Sequence, residues 1–167
     1  QWAADLSKKI GLPVVTAVEP HAIALKAMGV KTVAIATYFG DELNQAIVDH
    51  FSRFGLESVI MPGFSGTGQT EALYTTPLLR LDDVSYMDVY RHCKRGVRSL
   101  GTPVDAIYIN GGGWDAAPAV QLLEDDLKVK VVWALAAEMW LTYHKLAISN
   151  PLQGCGSLFS GNYQPLP

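Results

Sequence analysis

Short apolar runs alternate along the chain with longer segments in which apolar residues recur every three or four positions. The short runs are rich in β-branched residues and predict buried strands, whereas the longer segments predict amphipathic helices. The predicted strands cover residues 13–17, 31–37, 57–63, 105–110 and 130–134. The predicted helices cover residues 21–29, 41–55, 85–100, 118–127 and 135–148, and a further amphipathic helix precedes Gly11.

Capping residues support two of the helix boundaries. In the segment 41–55, Asp41 is a plausible N-cap and Gly55 occupies the position after the C-cap. Ser85 and Asp88 have the spacing of a capping box at the start of the segment 85–100. The apolar stripe predicted for the first of these helices consists of Leu43, Ile47, Phe51 and Phe54.

The alternation of strands and helices predicts the fold class. It favours an α/β fold in which a mostly parallel sheet lies between two layers of helices. Small ligands bind such sheets at the carboxyl ends of the strands. We therefore expect the ligand-binding positions at Thr16, at 37–39, at 63–68, at 110–114 and at 134–137. The segment 64–76 is predicted to be a long loop, and the tail from Ser149 is predicted to be irregular.

Composition narrows the function classes. The 167 residues carry a net charge of −3 without a basic block, which argues against nucleic acid as a partner. No apolar run approaches the roughly 20 residues that span a bilayer, and Glu138 interrupts the run that comes nearest to that length. The two cysteines form no CxxC motif and the four histidines lack metal-ligand spacing, so we expect no metal and a reducing, cytoplasmic setting.

A glycine-rich turn from Asn110 to Trp114 follows a predicted strand. Backbone N–H groups in such a turn, next to a helix N-terminus, suit a phosphate or a carboxylate. The motif is not GxGxxG and lacks a P-loop lysine, so it is weak evidence for a nucleotide. The alternative is a tight strand-to-helix turn that uses glycine only for its backbone freedom.

Thr37, Tyr38 and Phe39 end the second predicted strand. A hydroxyl group there is able to donate to a carboxylate, but Tyr38 is equally able to pack on a neighbouring loop. Neither cysteine has the local features of a nucleophile. Cys93 lies on the apolar stripe of a helix, and Cys155 lies between glycines with no helix N-terminus or cation nearby in sequence.

Taken together, several segments resemble the aspartate/glutamate racemase superfamily, in the branch of arylmalonate decarboxylase and maleate cis-trans isomerase. These segments are GLPVVT, ALKAMGVKTVAIAT, DELN, the glycine-rich turn, VVWALAAEMW and GCGSLF. The resemblance implies two similar α/β lobes with the active site between them, and a chain that lacks the N-terminal part of the first lobe. It assigns residues 1–17 to that incomplete lobe, 18–134 to the second lobe, and 135–167 to a helix and tail that cross back.

The resemblance also implies a chemistry without cofactors. A cysteine in such proteins moves a proton beside a carboxylate or attacks that carbon, while backbone amides and hydroxyls stabilise the enediolate. The position of the family cysteine is Gly111 here, and the family tyrosine falls at Phe39. Three explanations stay open: the nucleophile comes from the absent first lobe and Gly111 leaves room for substrate, the chemistry differs, or the protein only binds a ligand.

The sequence therefore gives two main hypotheses. The first is a decarboxylase, isomerase or racemase acting on a small carboxylic acid, and the second is a non-catalytic carboxylate binder of the same fold. A nucleotide-binding domain ranks last, and self-association of copies is left open. The expected substrate-binding residues are Thr16, Thr37, Tyr38, Phe39, Asn110, Gly111, Gly112, Gly113 and Trp114, with Trp133 and Trp140 as further candidates for contact with an apolar substituent.

Overall fold

A computed structural model describes residues 2–62, 84–149 and 153–165. The helices are α1 (Trp2–Ile10), α2 (Glu19–Ala27), α3 (Asp41–Arg53), α4 (Tyr86–Ser99), α5 (Ala117–Leu127), α6 (Ala134–Lys145) and α7 (Ser157–Ser160). The strands are β1 (Thr32–Ala36), β2 (Glu57–Ile60), β3 (Ala106–Ile109) and β4 (Lys130–Trp133). The predicted loop 64–76 and the predicted ligand positions 63–68 lie outside the described residues.

The four strands form one parallel sheet in the order β2-β1-β3-β4. β1 pairs with β2 from Thr32 opposite Glu57, and with β3 from Val33 opposite Ala106. β3 pairs with β4 from Ala106 opposite Lys130. The predicted α/β fold with a parallel sheet is confirmed.

Alternate residues of the strands supply two separate cores, one on each face of the sheet. Val33, Ile35, Tyr108 and Val132 pack with α2 and α6 on the first face. Ala34, Ala36, Ile107, Ile109 and Val131 pack with α4 and α5 on the opposite face. The result is the three-layer arrangement that the sequence predicts.

The ends of α3 and α4 differ in how well the sequence predicts them. The N-cap of α3 is Gly40 and Asp41 is already helical, so the prediction that Asp41 is the cap is wrong. The side chain of Asn44 instead holds this turn by donating to the carbonyl of Phe39 at 2.8 Å. Gly55 follows the C-cap with φ +70°, and the Ser85–Asp88 capping box is present, as predicted.

Two predicted elements differ from the structure. Residues 13–17 are not a strand, and the four-stranded sheet of the described residues does not include them. The tail contains the short helix α7, which the carboxylate of Glu124 anchors by accepting from the Ser157 N–H and hydroxyl at 2.7 Å each. The division of the chain at residues 17 and 134 stays a prediction.

Two further observations concern the described part of the chain. No helix there is long and apolar enough to cross a membrane. Within the same residues, no group of three or more His, Cys, Asp or Glu side chains is placed to hold a metal ion.

Candidate functional site

An open cleft of about 680 Å³ lies at the carboxyl end of the sheet, on the face covered by α2, α3 and α6. The turns after β1 and β3 form one part of it, and α2, α3 and α6 form the rest. Its position agrees with the general location of ligand sites in parallel sheets. The lining residues are Ala17, Val18, His21, Phe39, Leu43, Ala46, Ile47, Asp49, His50, Arg53, Asn110, Gly111, Gly112, Ala134 and Glu138.

One wall of the cleft is apolar. Val18 is 38% exposed and Leu43 is 47% exposed, and the half-buried Phe39 and Ile47 lie beside them in the lining. Leu43 belongs to the stripe that the sequence assigns to the core, but the structure leaves it at the cleft. An apolar wall next to a few polar groups is typical of sites for small organic ligands.

Asn110 lines the cleft and belongs to a chain of four hydrogen-bonded side chains. The Tyr108 hydroxyl donates to Asn110 Oδ1 at 3.0 Å and lies 2.7 Å from His21 Nδ1. His21 Nε2 lies 3.2 Å from Glu138 Oε1. Asn110, Tyr108 and His21 are buried, whereas Glu138 is partly exposed. The chain thus joins the wall of the cleft at Glu138 to the turn after β3.

The amide nitrogen of Asn110 has no hydrogen-bond partner among the described residues, although Asn110 is only 4% exposed. An unsatisfied buried donor costs roughly 1–3 kcal/mol, so such groups usually have a ligand or a water. Oδ1 accepts from Tyr108, so Nδ2 is the amide atom without an acceptor, and it is itself shielded from solvent in the structure. This makes Asn110 a donor for an anionic or carbonyl oxygen.

Burial shapes the titration of two neighbouring groups. It raises the pKa of Tyr108 well above its ordinary value, with a further contribution from Glu138, so this hydroxyl stays protonated. Burial also lowers the pKa of His50, and the charges of Arg53 and His21 act in the same direction. His50 therefore favours its neutral form beside the cleft.

The glycine turn after β3 is packed against Tyr38. Gly111 has φ +94°, and a Cβ atom there would lie 2.6 Å from Tyr38 Cζ and closer still to the hydroxyl oxygen. The Gly113 N–H donates to that oxygen at 3.1 Å, and Trp133 Nε1 donates to the Gly111 carbonyl at 3.0 Å. The space on the Cβ side of Gly111 is thus filled by Tyr38, while Gly111 itself lines the cleft, so whether this glycine leaves room for substrate stays a prediction.

Tyr38 itself is only 8% exposed and packs edge-on against Trp114, with ring centroids 5.0 Å apart. Burial raises its pKa, although the bond from Gly113 opposes that shift. Of the two interpretations of Tyr38, its position favours packing on the neighbouring loop.

The structure brings four of the predicted substrate-binding residues to the cleft, namely Phe39, Asn110, Gly111 and Gly112. Thr37 is buried and its Oγ1 accepts from the Phe39 N–H at 3.1 Å, while Thr16 contributes to a different depression beside α1. Tyr38, Gly113 and Trp114 are not part of the lining; Tyr38 and Trp114 are buried and Gly113 is exposed. Trp133 and Trp140 are also absent from the lining. The apolar residues of the lining include Val18, Phe39, Leu43 and Ile47.

Neither cysteine lines the cleft. Cys93 is fully buried in the core between the sheet and α4, and burial raises the pKa of its thiol to about 12. Cys155 is half-buried in the tail, where burial also raises its thiol pKa. Both thiols are therefore protonated near neutral pH, and neither is placed to reach a ligand in the cleft.

Sequence reasoning missed His21 and Glu138 as site residues. The available signal is Glu138 itself, because a charged residue in an otherwise apolar helix needs a partner or solvent. Tyr108 gives a second signal, since its hydroxyl is carried by a central strand where it requires a hydrogen bond.

Comparison with known proteins identifies the family. The family model for arylmalonate decarboxylase matches residues 1–159. A crystal structure of arylmalonate decarboxylase is similar, with a TM-score of 0.80 and 22% identity over 95% of this chain and 65% of that one. The maleate isomerase Iso from Pseudomonas putida S16 gives a TM-score of 0.78 and 21% identity over 95% and 59% of the two chains.

Maleate cis-trans isomerase from Nocardia farcinica is also similar, with a TM-score of 0.74 and 17% identity over 95% of this chain and 62% of that one. The chain thus spans less than two thirds of the length of these solved structures. No curated protein sequence matches it significantly. The match of the family model over residues 1–159 shows that the chain belongs to the arylmalonate decarboxylase family.

Proposed function

We propose that the cleft binds a small carboxylic acid, arylmalonate-like or maleate-like, and that the protein is a cofactor-independent decarboxylase, isomerase or racemase. The observation that carries this proposal is that Asn110, a residue of the cleft lining, has a buried Nδ2 without a hydrogen-bond partner among the described residues. A carboxylate oxygen supplies the acceptor that this donor lacks. The apolar wall of Val18, Phe39, Leu43 and Ile47 suits a hydrocarbon substituent on the same acid.

The proposed chemistry requires a donor of this kind. Removing carbon dioxide or a proton beside a carboxylate develops negative charge on the carboxylate oxygens as an enediolate. Donors fixed at those oxygens lower the barrier, and loss of one such donor typically costs about a hundredfold or more in rate. In this proposal Asn110 and the backbone of Gly111 and Gly112 hold the reacting carboxylate, and Leu43 contacts the substituent.

The source of the proton is a separate question. A maleate cis-trans isomerase of Nocardia farcinica is known with a covalently bound succinylcysteine intermediate. Here the described cysteines lie away from the cleft, and Tyr38 fills the space at Gly111. These observations favour a second candidate, a carboxylate-binding protein without turnover. Chemistry without a cofactor and a cytoplasmic location remain predictions from the sequence.

An exchange experiment on the full-length protein distinguishes the two candidates. Phenylmalonate, methylmalonate and maleate are incubated with it in heavy water and followed by proton NMR. The first candidate predicts loss of carbon dioxide with deuterium at the α-carbon, or formation of fumarate. Binding by calorimetry without any turnover supports the second candidate. Absence of both binding and turnover with all three acids would falsify the carboxylate site.

An Asn110→Ala variant tests the residue that carries the proposal. It should weaken carboxylate binding by about tenfold, which corresponds to the loss of one charge-assisted hydrogen bond. Gln121→Ala is the control, because it removes a side-chain amide of α5 that donates to Asp125 outside the lining of the cleft. Equal affinity of wild type and Asn110→Ala contradicts the assignment of Asn110.

A further inference from the structure

The hydrogen-bonded chain Glu138–His21–Tyr108–Asn110 is called the relay below. The positions of its protons determine which residue donates in each of its hydrogen bonds. A tyrosine hydroxyl has a single proton. In the structure that proton is donated to Asn110 Oδ1 at 3.0 Å. The contact of 2.7 Å between the Tyr108 oxygen and His21 Nδ1 is then a hydrogen bond in which His21 donates. His21 therefore has a proton on Nδ1 in this arrangement.

The same reasoning extends to Glu138. A histidine with a proton on Nδ1 has either a lone pair or a second proton on Nε2. Since Nε2 lies 3.2 Å from Glu138 Oε1, one proton must lie between these two atoms, on the ring or on the carboxyl group. Without it, a lone pair would face a carboxylate oxygen. The arrangement in the structure thus contains one proton shared by His21 and Glu138.

Removal of that proton reverses every bond of the relay. His21 then has its proton on Nε2 and donates to Glu138, while Nδ1 accepts from the Tyr108 hydroxyl. The Tyr108 oxygen accepts from Asn110, whose amide must rotate so that Nδ2 faces Tyr108. Oδ1 of Asn110 is then left for the cleft. An acceptor replaces the donor at the position where a carboxylate would bind.

We propose that His21 and Tyr108 are positioning residues which, together with Glu138, hold the NH₂ group of Asn110 toward the cleft and so make the cleft select carboxylates over neutral amides. This inference rests on the proposed carboxylate site. The arrangement in which the Asn110 NH₂ group faces the cleft has one proton more than the reversed arrangement. When a carboxylate binds, the pair His21 and Glu138 therefore retains the shared proton or takes it up. Affinity for a carboxylate falls as pH rises and the shared proton is lost, by at most about tenfold per pH unit.

Among the described residues, the other charged or titratable groups near the relay come from α3, from α2 itself and from the turn after β1, where Tyr38 acts on the pKa of Tyr108. His50, Asp49 and Arg53 of α3 line the same cleft, and Glu19 lies in the first turn of α2. His50 is the alternative source of a pH effect, because its pKa responds to the charge of His21. A His50→Gln variant separates the two sources, and the pH dependence should persist in it.

Variants of the relay provide the first test. Calorimetry gives the dissociation constants of phenylacetate and of the neutral phenylacetamide for the full-length protein across the neutral pH range. Tyr108→Phe should weaken phenylacetate binding by about five- to tenfold and reduce the preference over phenylacetamide. Tyr90→Phe is the control, because it removes a hydroxyl that donates to Asp126 outside the cleft.

Glu138→Gln gives a second test at a partly exposed position, with a side chain of the same shape. The glutamine NH₂ group donates to His21 Nε2, so His21 stays protonated on Nδ1 without the shared proton. The pH dependence of phenylacetate binding should disappear in this variant. Wild-type pH dependence in Glu138→Gln, or unchanged affinity and preference in folded Tyr108→Phe, overturns the proposal.

A ligand-free measurement keeps this inference separate from the proposed function. Nitrogen-15 NMR of the histidine rings shows which nitrogen loses its proton as pH rises. The relay predicts loss from Nδ1 of His21 in the wild type and retention there in Glu138→Gln. Loss from Nε2 instead refutes the relay even when carboxylates bind, whereas the expected behaviour without carboxylate binding refutes the proposed function alone.

Discussion

Replacement of Gly111 by alanine tests how tightly the turn after β3 is packed. Two costs arise at this position. A side chain at φ +94° is strained, which costs roughly 1–2 kcal/mol. In addition, the new Cβ atom would lie 2.6 Å from Tyr38 Cζ, and overpacking of this kind costs about 1–3 kcal/mol. Gly111→Ala should therefore lower the free energy of unfolding by about 2–5 kcal/mol.

Gly29→Ala is the matched control for the strain. Gly29 has φ +73°, and a Cβ atom there would meet nothing within 4 Å. Its replacement should cost only the strain, about 1–2 kcal/mol. Equilibrium unfolding in urea, followed by circular dichroism, gives both free energies. The difference between the two variants isolates the contact with Tyr38.

A double-mutant cycle with Tyr38→Ala completes the test. Removal of the Tyr38 ring should abolish the steric part of the Gly111→Ala cost, giving a favourable coupling energy of about 1–3 kcal/mol. If Gly111→Ala costs no more than Gly29→Ala, or if the coupling energy is zero, then Tyr38 does not fill the space beside Gly111 and the reasoning is refuted.

Three further predictions concern the cleft, one surface carboxylate and the cysteines. Leu43→Ala should change the unfolding free energy by less than about 0.5 kcal/mol, because Leu43 is 47% exposed. In calorimetry it should weaken the binding of phenylmalonate more than the binding of methylmalonate. An equal effect on both acids contradicts the contact of Leu43 with the substituent. Hydrogen bonds from the Thr32 and Lys31 N–H groups lower the pKa of Asp105. Asp105 therefore stabilises the folded protein at pH values above the ordinary carboxyl pKa, and this stabilisation is lost as pH falls through the lowered pKa. Asp105→Asn should flatten the acid side of a plot of melting temperature against pH, and an unchanged profile argues against these bonds. Thiol labelling with a chromogenic disulfide at mildly alkaline pH should modify the half-buried Cys155 first. Cys93 should react only after unfolding, since burial raises its pKa to about 12. Early labelling of Cys93 would contradict its burial.

The hydrophobic pattern predicts the layers of the fold because each layer depends on local periodicity. The β-branched runs at β1 and β4 and the glycine after α3 are readable from neighbouring residues alone. Local periodicity alone gives the wrong prediction for the segment 13–17. It has the composition of a strand, but a strand also needs a partner, and the partner is not part of the local pattern.

The candidate site is less predictable for a related reason. Motif reasoning finds Asn110 because a glycine-rich turn after a strand is a local feature. The relay joins residues 87 and 117 positions apart in sequence, so no spacing rule connects His21 with Tyr108 or with Glu138. The effect of Tyr38 on Gly111 likewise depends on a contact between two turns that are distant in sequence.

The packing of Tyr38 against Gly111 also constrains how a thiol at this turn is gained or lost during divergence. A cysteine introduced while the large ring is present meets the ring, whereas a smaller residue introduced first at position 38 opens the space. The order of the two substitutions therefore determines whether the intermediate has a crowded turn or a cavity beside Trp114, and either one costs stability. Relatives with a thiol at this turn should accordingly differ from this chain at both positions together.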